Sequence, residues 1–233
     1  MVGKGKYYES QFEEATIELL RESHWQYTFG DDIHRKYTDP LIEEDLRTFL
    51  AAQYKDKKLT ASEMDGIVAN LRNTGGQNDY YAQQNTFLLY RDGYDFTYSD
   101  GRDNPFRLQY IDFEHPDHNI FRCVNQFVME QGRENRRPDI LLFVNGIPVC
   151  IVELKNPTKQ NATIRDAHTQ ICTRYMRDIP ALLKYCALAV ISDGAKNELG
   201  TTYTPFEFFY EWKKIDNEDK AGKGLDTLRS LVP

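Results

Sequence analysis

Two apolar runs, Ile-Leu-Leu-Phe-Val at 140–144 and Ile-Pro-Val-Cys-Ile-Val at 147–152, are separated only by Asn145-Gly146. An Asn-Gly pair readily supplies the two left-handed residues of a tight hairpin turn. The stretch therefore reads as two paired strands, 139–144 and 149–155. Charge is confined to the open end of this hairpin, where Asp139 starts one strand and Glu153 and Lys155 finish the other. Residues i and i+2 of a strand face the same side, so Glu153 and Lys155 share a face and Leu154 points away from it, into the core.

Register decides whether Asp139 joins them. A strict two-residue turn pairs Val144 with Ile147 and Asp139 with Val152, which puts Asp139 and Glu153 on opposite faces. A three-residue loop pairs Val144 with Pro148 and Asp139 with Glu153, on one face. A longer loop or a bulge is therefore expected in this hairpin.

The reason to expect a shared face is chemical. Two ionised carboxylates a few ångströms apart repel, and burying both is costly unless a cation sits between them. Mg²⁺ takes hard oxygen ligands, keeps waters, polarises a phosphate and helps generate a hydroxide nucleophile. A lysine two residues from the second carboxylate can orient that water or neutralise developing phosphate charge. Asp139, Glu153 and Lys155 thus read as a centre for metal-dependent phosphodiester hydrolysis, with Asp139 and Glu153 as metal ligands. Asp56-Lys57-Lys58, Glu211-Trp212-Lys213 and Glu218-Asp219-Lys220 match only the second half of the pattern, and Pro116-Asp117 only the first. Spacing alone leaves open a surface hairpin whose strand ends carry charge.

Around this hairpin the chain reads as helices first and strands later. Helices are expected over 12–20, from Asp39-Pro40 through Leu41, Ile42, Leu46, Phe49 and Leu50, and from the capping box Thr60-Ala-Ser-Glu63 along Met64, Ile67, Val68 and Leu71. A hairpin is expected over 86–98 around Asp92-Gly93, further strands over 106–113 and 121–129, a helix over 162–178, and strands over 187–192 and 206–212. This order predicts an α/β (α+β) fold. No apolar run approaches the roughly 18–20 residues of a membrane span, and the first residues lack the apolar stretch of a secretory signal. The four cysteines, Cys123, Cys150, Cys172 and Cys186, form no C-x-x-C pair and read as free thiols in a reducing, cytoplasmic setting.

The segment 135–157 resembles the N-terminal nuclease region of the R (restriction and motor) subunit of type I restriction enzymes, a branch of the PD-(D/E)XK superfamily. The likeness continues through Ile111-Asp-Phe-Glu-His-Pro116, Asn125-Gln-Phe127, Asp178-Ile-Pro180 and Ser192-Asp-Gly194, and covers most of the chain from Glu9 onward. It implies a restriction-endonuclease-like mixed sheet flanked by helices, with a helical N-terminal part. Residues 1–215 are expected to form the endonuclease domain, with helices over about 9–76 and a sheet core over about 85–212. The polar stretch 216–233 reads as a linker towards a motor region that this sequence does not include. No Gly-x-x-x-x-Gly-Lys-Ser/Thr loop occurs, so ATP enters only through that motor. The chain is read as a fragment ending near a linker, or as a stand-alone relative.

The resemblance implies a Mg²⁺-dependent catalytic core of Asp139, Glu153 and Lys155, supported by a first-helix glutamate. Glu13 is the best match, with Glu9 and Glu14 as fallbacks and a solvated helix face as the other reading. It also implies double-stranded DNA as substrate and modification and specificity subunits as partners. The family often carries Gln-x-x-x-Tyr on the next helix to orient DNA, but here Gln170 precedes Tyr175 by five residues. Five residues rotate about 140° around a regular helix, against about 40° for four. Arg174, four after Gln170, is then the residue expected to share its face. Gln170, Tyr175, Arg174 and Arg137 stand as DNA-contact candidates, with helix packing and solvation as the alternative. Two other functions stay open on the same fold: a non-catalytic DNA- or subunit-docking module, and a stand-alone DNA repair or junction nuclease.

Asp112, Glu114, His115, Asp117 and His118 read as a polar loop, because Pro116 interrupts any regular helix that would align metal ligands. His24, His34 and His168 are isolated and carry no assigned chemistry. The formal charge of −7 excludes a uniformly basic DNA-coating protein. It conceals a local reversal, because residues 133–184 hold nine Lys/Arg against five Asp/Glu, a local +4, and leave −11 for the remainder. That segment can meet phosphates around the hairpin.

Overall fold

The computed structural model describes residues 4–155 and 163–212, with side chains from Ser10 onward. Helix α1 (Lys4–Glu22) is longer than its apolar stripe, and buries Ile17 and Leu20. After β1 (Gln26–Phe29), helix α2 (Glu43–Gln53) begins three residues later than Pro40. The cause is local. The Leu41 N–H is taken by Asp39 Oδ1 at 3.1 Å and the Ile42 N–H by the Gly146 carbonyl at 2.9 Å. These residues form a turn docked on the central hairpin instead of a first helical turn. Helix α3 (Ala61–Asn73) has the expected capping box: Glu63 N–H donates to the Thr60 hydroxyl at 3.2 Å, and Thr60 N–H to Glu63 Oε2 at 2.8 Å.

The expected hairpin over 86–98 is instead the end of a fourth helix. Helix α4 (Asp79–Asp92) is capped by Asn78, whose side chain accepts the Tyr81 N–H at 3.1 Å. It buries Gln83, Thr86 and Tyr90, a helical spacing. Gly93, at φ +63, stops it, so Asp92-Gly93 is a helix terminus and not a hairpin turn. The helical part therefore reaches Asp92. Beyond it, β2 (Tyr94–Phe96) pairs antiparallel with β3 (Phe106–Leu108) in a small separate sheet.

The main sheet has seven strands. Strand β4 (Phe121–Asn125) ends early because Gln126 turns left-handed at φ +54. The chain then makes a side hairpin of β5 (Met129–Gln131) and β6 (Glu134–Arg136) before β7 (Ile140–Val144) and β8 (Ile147–Leu154). Next come α5 (Ile164–Thr169), a π-helical segment Gln170–Tyr175, α6 (Met176–Asp178) and α7 (Pro180–Leu183). Strands β9 (Leu188–Ser192), β10 (Asn197–Gly200) and the two-residue β11 (Tyr210–Glu211) complete the sheet in the order β1-β4-β7-β8-β9-β10-β11. Pairs β1–β4 and β8–β9 are parallel and the rest antiparallel. The fold is thus the mixed sheet flanked by helices. The expected strand over 206–212 is mostly a 3-10 turn, Phe206–Phe208, and the 216–233 segment lies outside the described residues.

Alternation along β7 and β8 sorts their side chains to two cores. Leu141, Phe143 and Ile151 join Ile164, Ile171 and Tyr175 under the α5 side. Ile140, Leu142, Val152 and Leu154 join Ile17 and Leu20 under α1. A third cluster, built on α2, α3 and the β2–β3 pair, receives Val144 and Ile147 at the turn end. All four cysteines are free thiols, with Cys123, Cys150 and Cys186 buried.

Candidate active site

The central hairpin meets the register requirement by a bulge, with its turn kept tight. Asn145 and Gly146 have φ of +51 and +74, and Val144 pairs with Ile147 across them. Phe143 then pairs with Pro148, but Leu142 pairs with Cys150, so Val149 is the extra residue of a β-bulge. Beyond the bulge Ile140 stands opposite Val152, and the next step along both strands sets Asp139 opposite Glu153. Asp139 Oδ2 accepts the Leu154 N–H at 2.8 Å, which ties its carboxylate to the end of β8.

Glu153, Lys155, Gln170 and Tyr175 form a closed ring of side chains. Lys155 Nζ donates to Glu153 Oε1 at 2.8 Å and to Gln170 Oε1 at 3.0 Å. Gln170 Nε2 donates to the Tyr175 hydroxyl at 2.7 Å, and that hydroxyl donates to Glu153 Oε2 at 3.4 Å. Glu153 is 0% exposed and Lys155 9%. Burial, and after it the negative charge of Asp139, pushes the Glu153 carboxyl up to about 8 against the opposing pull of Lys155. Burial, and after it the Glu153 charge, raises the Tyr175 phenol well above its usual range. Two oxygen-donor carboxylates held this close fit a hard divalent cation, which would relieve their repulsion and favour Glu153 in its ionised form.

The pairing of Gln170 with Tyr175 corrects the expectation for a regular helix. The Met176 N–H reaches back to the Ile171 carbonyl, five residues earlier, so the helix is π-helical here. The wider turn takes up the extra residue and returns position i+5 to the face of position i. Tyr175 is therefore buried beside Gln170, and Arg174 is exposed instead of sharing that face.

Glu13 approaches from α1. One of its carboxylate oxygens accepts Asn125 Nδ2 at 2.7 Å, and both accept Gln126 Nε2 at 3.1 Å. The Gln126 N–H in turn donates to the Asp139 carbonyl at 3.1 Å. Glu13 thus reaches the carboxylate pair through an intermediary that residue spacing alone does not single out. Only the Asn125-Gln-Phe127 part of the resemblance touched it. A Cβ on Gly30 would lie 2.6 Å from the Gln126 carbonyl oxygen, so that close approach needs glycine. Glu14 is exposed, and the Glu9 side chain lies outside the described residues. Arg137 is exposed just before the Pro138-Asp139 step. An apolar groove lies elsewhere, on the α1 face among Leu19, Trp25, Phe121, Val152 and Val190, and none of the charged residues above lines it.

Comparison with known proteins gives a consistent picture. A family model described as the type I restriction enzyme R protein N terminus matches residues 6–208. The chain is 30% identical to the type I restriction enzyme HindI endonuclease subunit of Haemophilus influenzae, over 96% of this chain and 22% of that protein. It is 39% identical to the putative type I restriction enzyme MjaIXP endonuclease subunit of Methanocaldococcus jannaschii, over 48% of this chain and 11% of that protein. It is also 32% identical to the type I restriction enzyme EcoprrI endonuclease subunit of Escherichia coli, over 53% of this chain and 40% of that protein. The chain thus spans about a fifth of the first of these and about a tenth of the second.

Proposed function

Since the chain belongs to the family of type I restriction enzyme R protein N termini, we propose that it is the Mg²⁺-dependent endonuclease domain of such a subunit, hydrolysing phosphodiester bonds of double-stranded DNA. The observation that carries this reading is the meeting of Asp139, Glu153 and Lys155 at one end of the β7–β8 hairpin, brought about by the bulge at Val149.

Asp139 and Glu153 are the residues that would hold the metal. A Mg²⁺ bound there supplies phosphate polarisation and a water of lowered pKa. Lys155, held by two acceptors, is placed to orient a nucleophilic water and to neutralise charge developing on the phosphate. Gln170 fixes Lys155 through its carbonyl oxygen and Tyr175 through its amide, so both act as positioning residues more than as DNA contacts. Glu13 positions the Gln126 loop behind Asp139. The exposed Arg137 and Arg174, within the locally basic segment, are left to meet DNA phosphates.

In this reading the domain works in the cytoplasm beside modification and specificity subunits, and ATP acts only through a motor region beyond this chain. The free thiols suit a reducing compartment, and no described helix is long and apolar enough to cross a membrane. The test is plasmid cleavage by the assembled restriction complex with Mg²⁺ and ATP. Asp139→Ala and Lys155→Ala in the R subunit should each lower cleavage by at least about 10²-fold while ATP-driven translocation continues. Cleavage at the wild-type rate in the Asp139→Ala complex would overturn the proposal.

A further inference from the structure

A second group of ligating side chains lies at the far end of β7 from Asp139. Strand β7 spans five residues, about 17 Å, and its turn end is fastened to the loop between β3 and β4. Asn145 Nδ2 donates to Asn119 Oδ1 at 2.8 Å, and Asn119 Nδ2 donates to the Asp112 carbonyl at 2.7 Å. Pro116 does prevent a regular helix here, but the 3-10 turn Pro116–His118 brings the two imidazoles together over Asp112 all the same. The rings of His115 and His118 stack at 4.9 Å with 18° between their planes.

Asp112 divides its carboxylate between two tasks. Oδ1 accepts the N–H groups of Glu114 and His115 at 3.0 and 2.9 Å, which shapes the loop. Oδ2 accepts Gln53 Nε2 at 3.0 Å and faces both rings, with His118 Nδ1 at 3.1 Å and His115 Nδ1 at 3.6 Å. The three ligand groups offer atoms within 4.8 Å of one another. Zinc bonds of about 2.0–2.1 Å set tetrahedral ligand atoms about 3.4 Å apart. The two distances to Oδ2 bracket that value.

We propose that Asp112, His115 and His118 form a binding site for a borderline divalent transition-metal ion, Zn²⁺ in the first instance, separate from the Asp139–Glu153 pair. Two imidazoles and one carboxylate are the donor set of Zn²⁺ or Co²⁺, whereas Mg²⁺ prefers oxygen alone. The carboxylate is anchored and buried, and the imidazoles are more than half exposed, so an ion can enter from solvent. The exposed acids Glu114 and Asp117 on the same loop add attraction for a cation. Gln53, at the last turn of α2, orients Oδ2 as an outer partner, so an ion here would clip the β3–β4 loop to α2. Three protein ligands leave a fourth tetrahedral position open to water or to a donor from another molecule.

The test uses the full chain stripped of metal and titrated with Co²⁺, followed by visible absorption, with Zn²⁺ then added in competition. Expected is a visible ligand-field band saturating at one equivalent, which Zn²⁺ abolishes. The double variant His115→Gln, His118→Gln should lose that band and bind Zn²⁺ at least about ten-fold more weakly. Asp139→Asn should keep both. Both imidazoles are exposed, so far-ultraviolet circular dichroism of the double variant should match the wild type, and His118→Gln alone should show a partial loss. No band in the wild type, or an unchanged Zn²⁺ affinity in the double variant, would overturn the site.

Discussion

Gln170 donates its side-chain amide to the hydroxyl of Tyr175, five positions further along the same helix, across 2.7 Å. The contact exists because the intervening turn closes from Met176 to Ile171. Through the other end of the same amide group, Gln170 holds Lys155. One change in helix hydrogen bonding therefore fixes both a lysine on β8 and a tyrosine on the helix.

Deleting Thr173, an exposed residue inside the widened turn, should convert it to regular α-helix and set glutamine and tyrosine four apart. Far-ultraviolet spectra and melting temperature should be unchanged or improved, and cleavage by the assembled complex should stay within a few-fold of wild type. A fall as deep as that of Lys155→Ala would show that the π-helical turn itself is required.

Asp139→Asn removes a negative charge from beside a buried carboxyl, while its amide oxygen can still accept the Leu154 N–H. The metal-free variant should be more stable, by about 0.5–2 kcal/mol, as groups kept for function often oppose stability. Adding Mg²⁺ or Mn²⁺ should raise the melting temperature of the wild type and leave that of the variant nearly unmoved. Calorimetry of both proteins with and without metal measures the two effects together.

Acid stability should report on the start of α3. Hydrogen bonds from Arg102, then from Thr60, hold the Glu63 carboxyl down to about 2, against an ordinary value of 4.5. A depressed carboxylate contributes stability above its unfolded value and loses it as pH falls through its folded value. The wild type should therefore lose denaturation midpoint between about pH 4.5 and 2, and Glu63→Gln should show a flatter profile there from a lower starting point. Equal slopes in urea titrations at fixed ionic strength would contradict this.

Gly146→Ala should be among the most damaging single substitutions. The backbone there has φ +74, and an added Cβ would fall 2.1 Å from the Ile42 carbonyl oxygen. A loss well above about 1 kcal/mol is expected, because strain and the docking of α2 on the turn are both affected. Asn145→Ala attacks the same corner through hydrogen bonds: its side chain accepts the Ile120 N–H at 2.8 Å and donates to the Tyr110 carbonyl at 2.9 Å. Leaving each buried partner unsatisfied costs about 1–3 kcal/mol. Chemical denaturation of the two variants ranks the contributions.

What could be read from the chain, and what could not, follows from how local each cause is. The Asn145-Gly146 turn, the Thr60 capping box and the alternation of Glu153, Leu154 and Lys155 are local patterns, and all three recur in the structure. Helix α4 was hidden because its inward face is polar. Gln83 is buried, but it donates to the carbonyls of Leu183 and Cys186 and to the Thr202 hydroxyl, partners a hundred residues and more away. An amide satisfied at that distance looks like a surface residue in a hydropathy pattern. The π-helical turn was hidden for a different reason. Residue types in Ile-Cys-Thr-Arg do not record whether an N–H bonds four or five residues back. The bulge was expected somewhere in the hairpin, but nothing in Val149 distinguishes it from its apolar neighbours.

That bulge gives the β7–β8 hairpin something like a reading frame. Between Asp139 and Glu153 the residues of the ladder and turn are even in number only because Val149 is left out of the pairing. Losing Val149 would close the bulge and keep Asp139 opposite Glu153, whereas pairing Val149 into the ladder would set Asp139 opposite Val152 and turn the Glu153 carboxylate towards the apolar core under α1. A single residue lost from or added to the paired positions therefore has to be absorbed by closing or opening this bulge if the two carboxylates are to stay on one face.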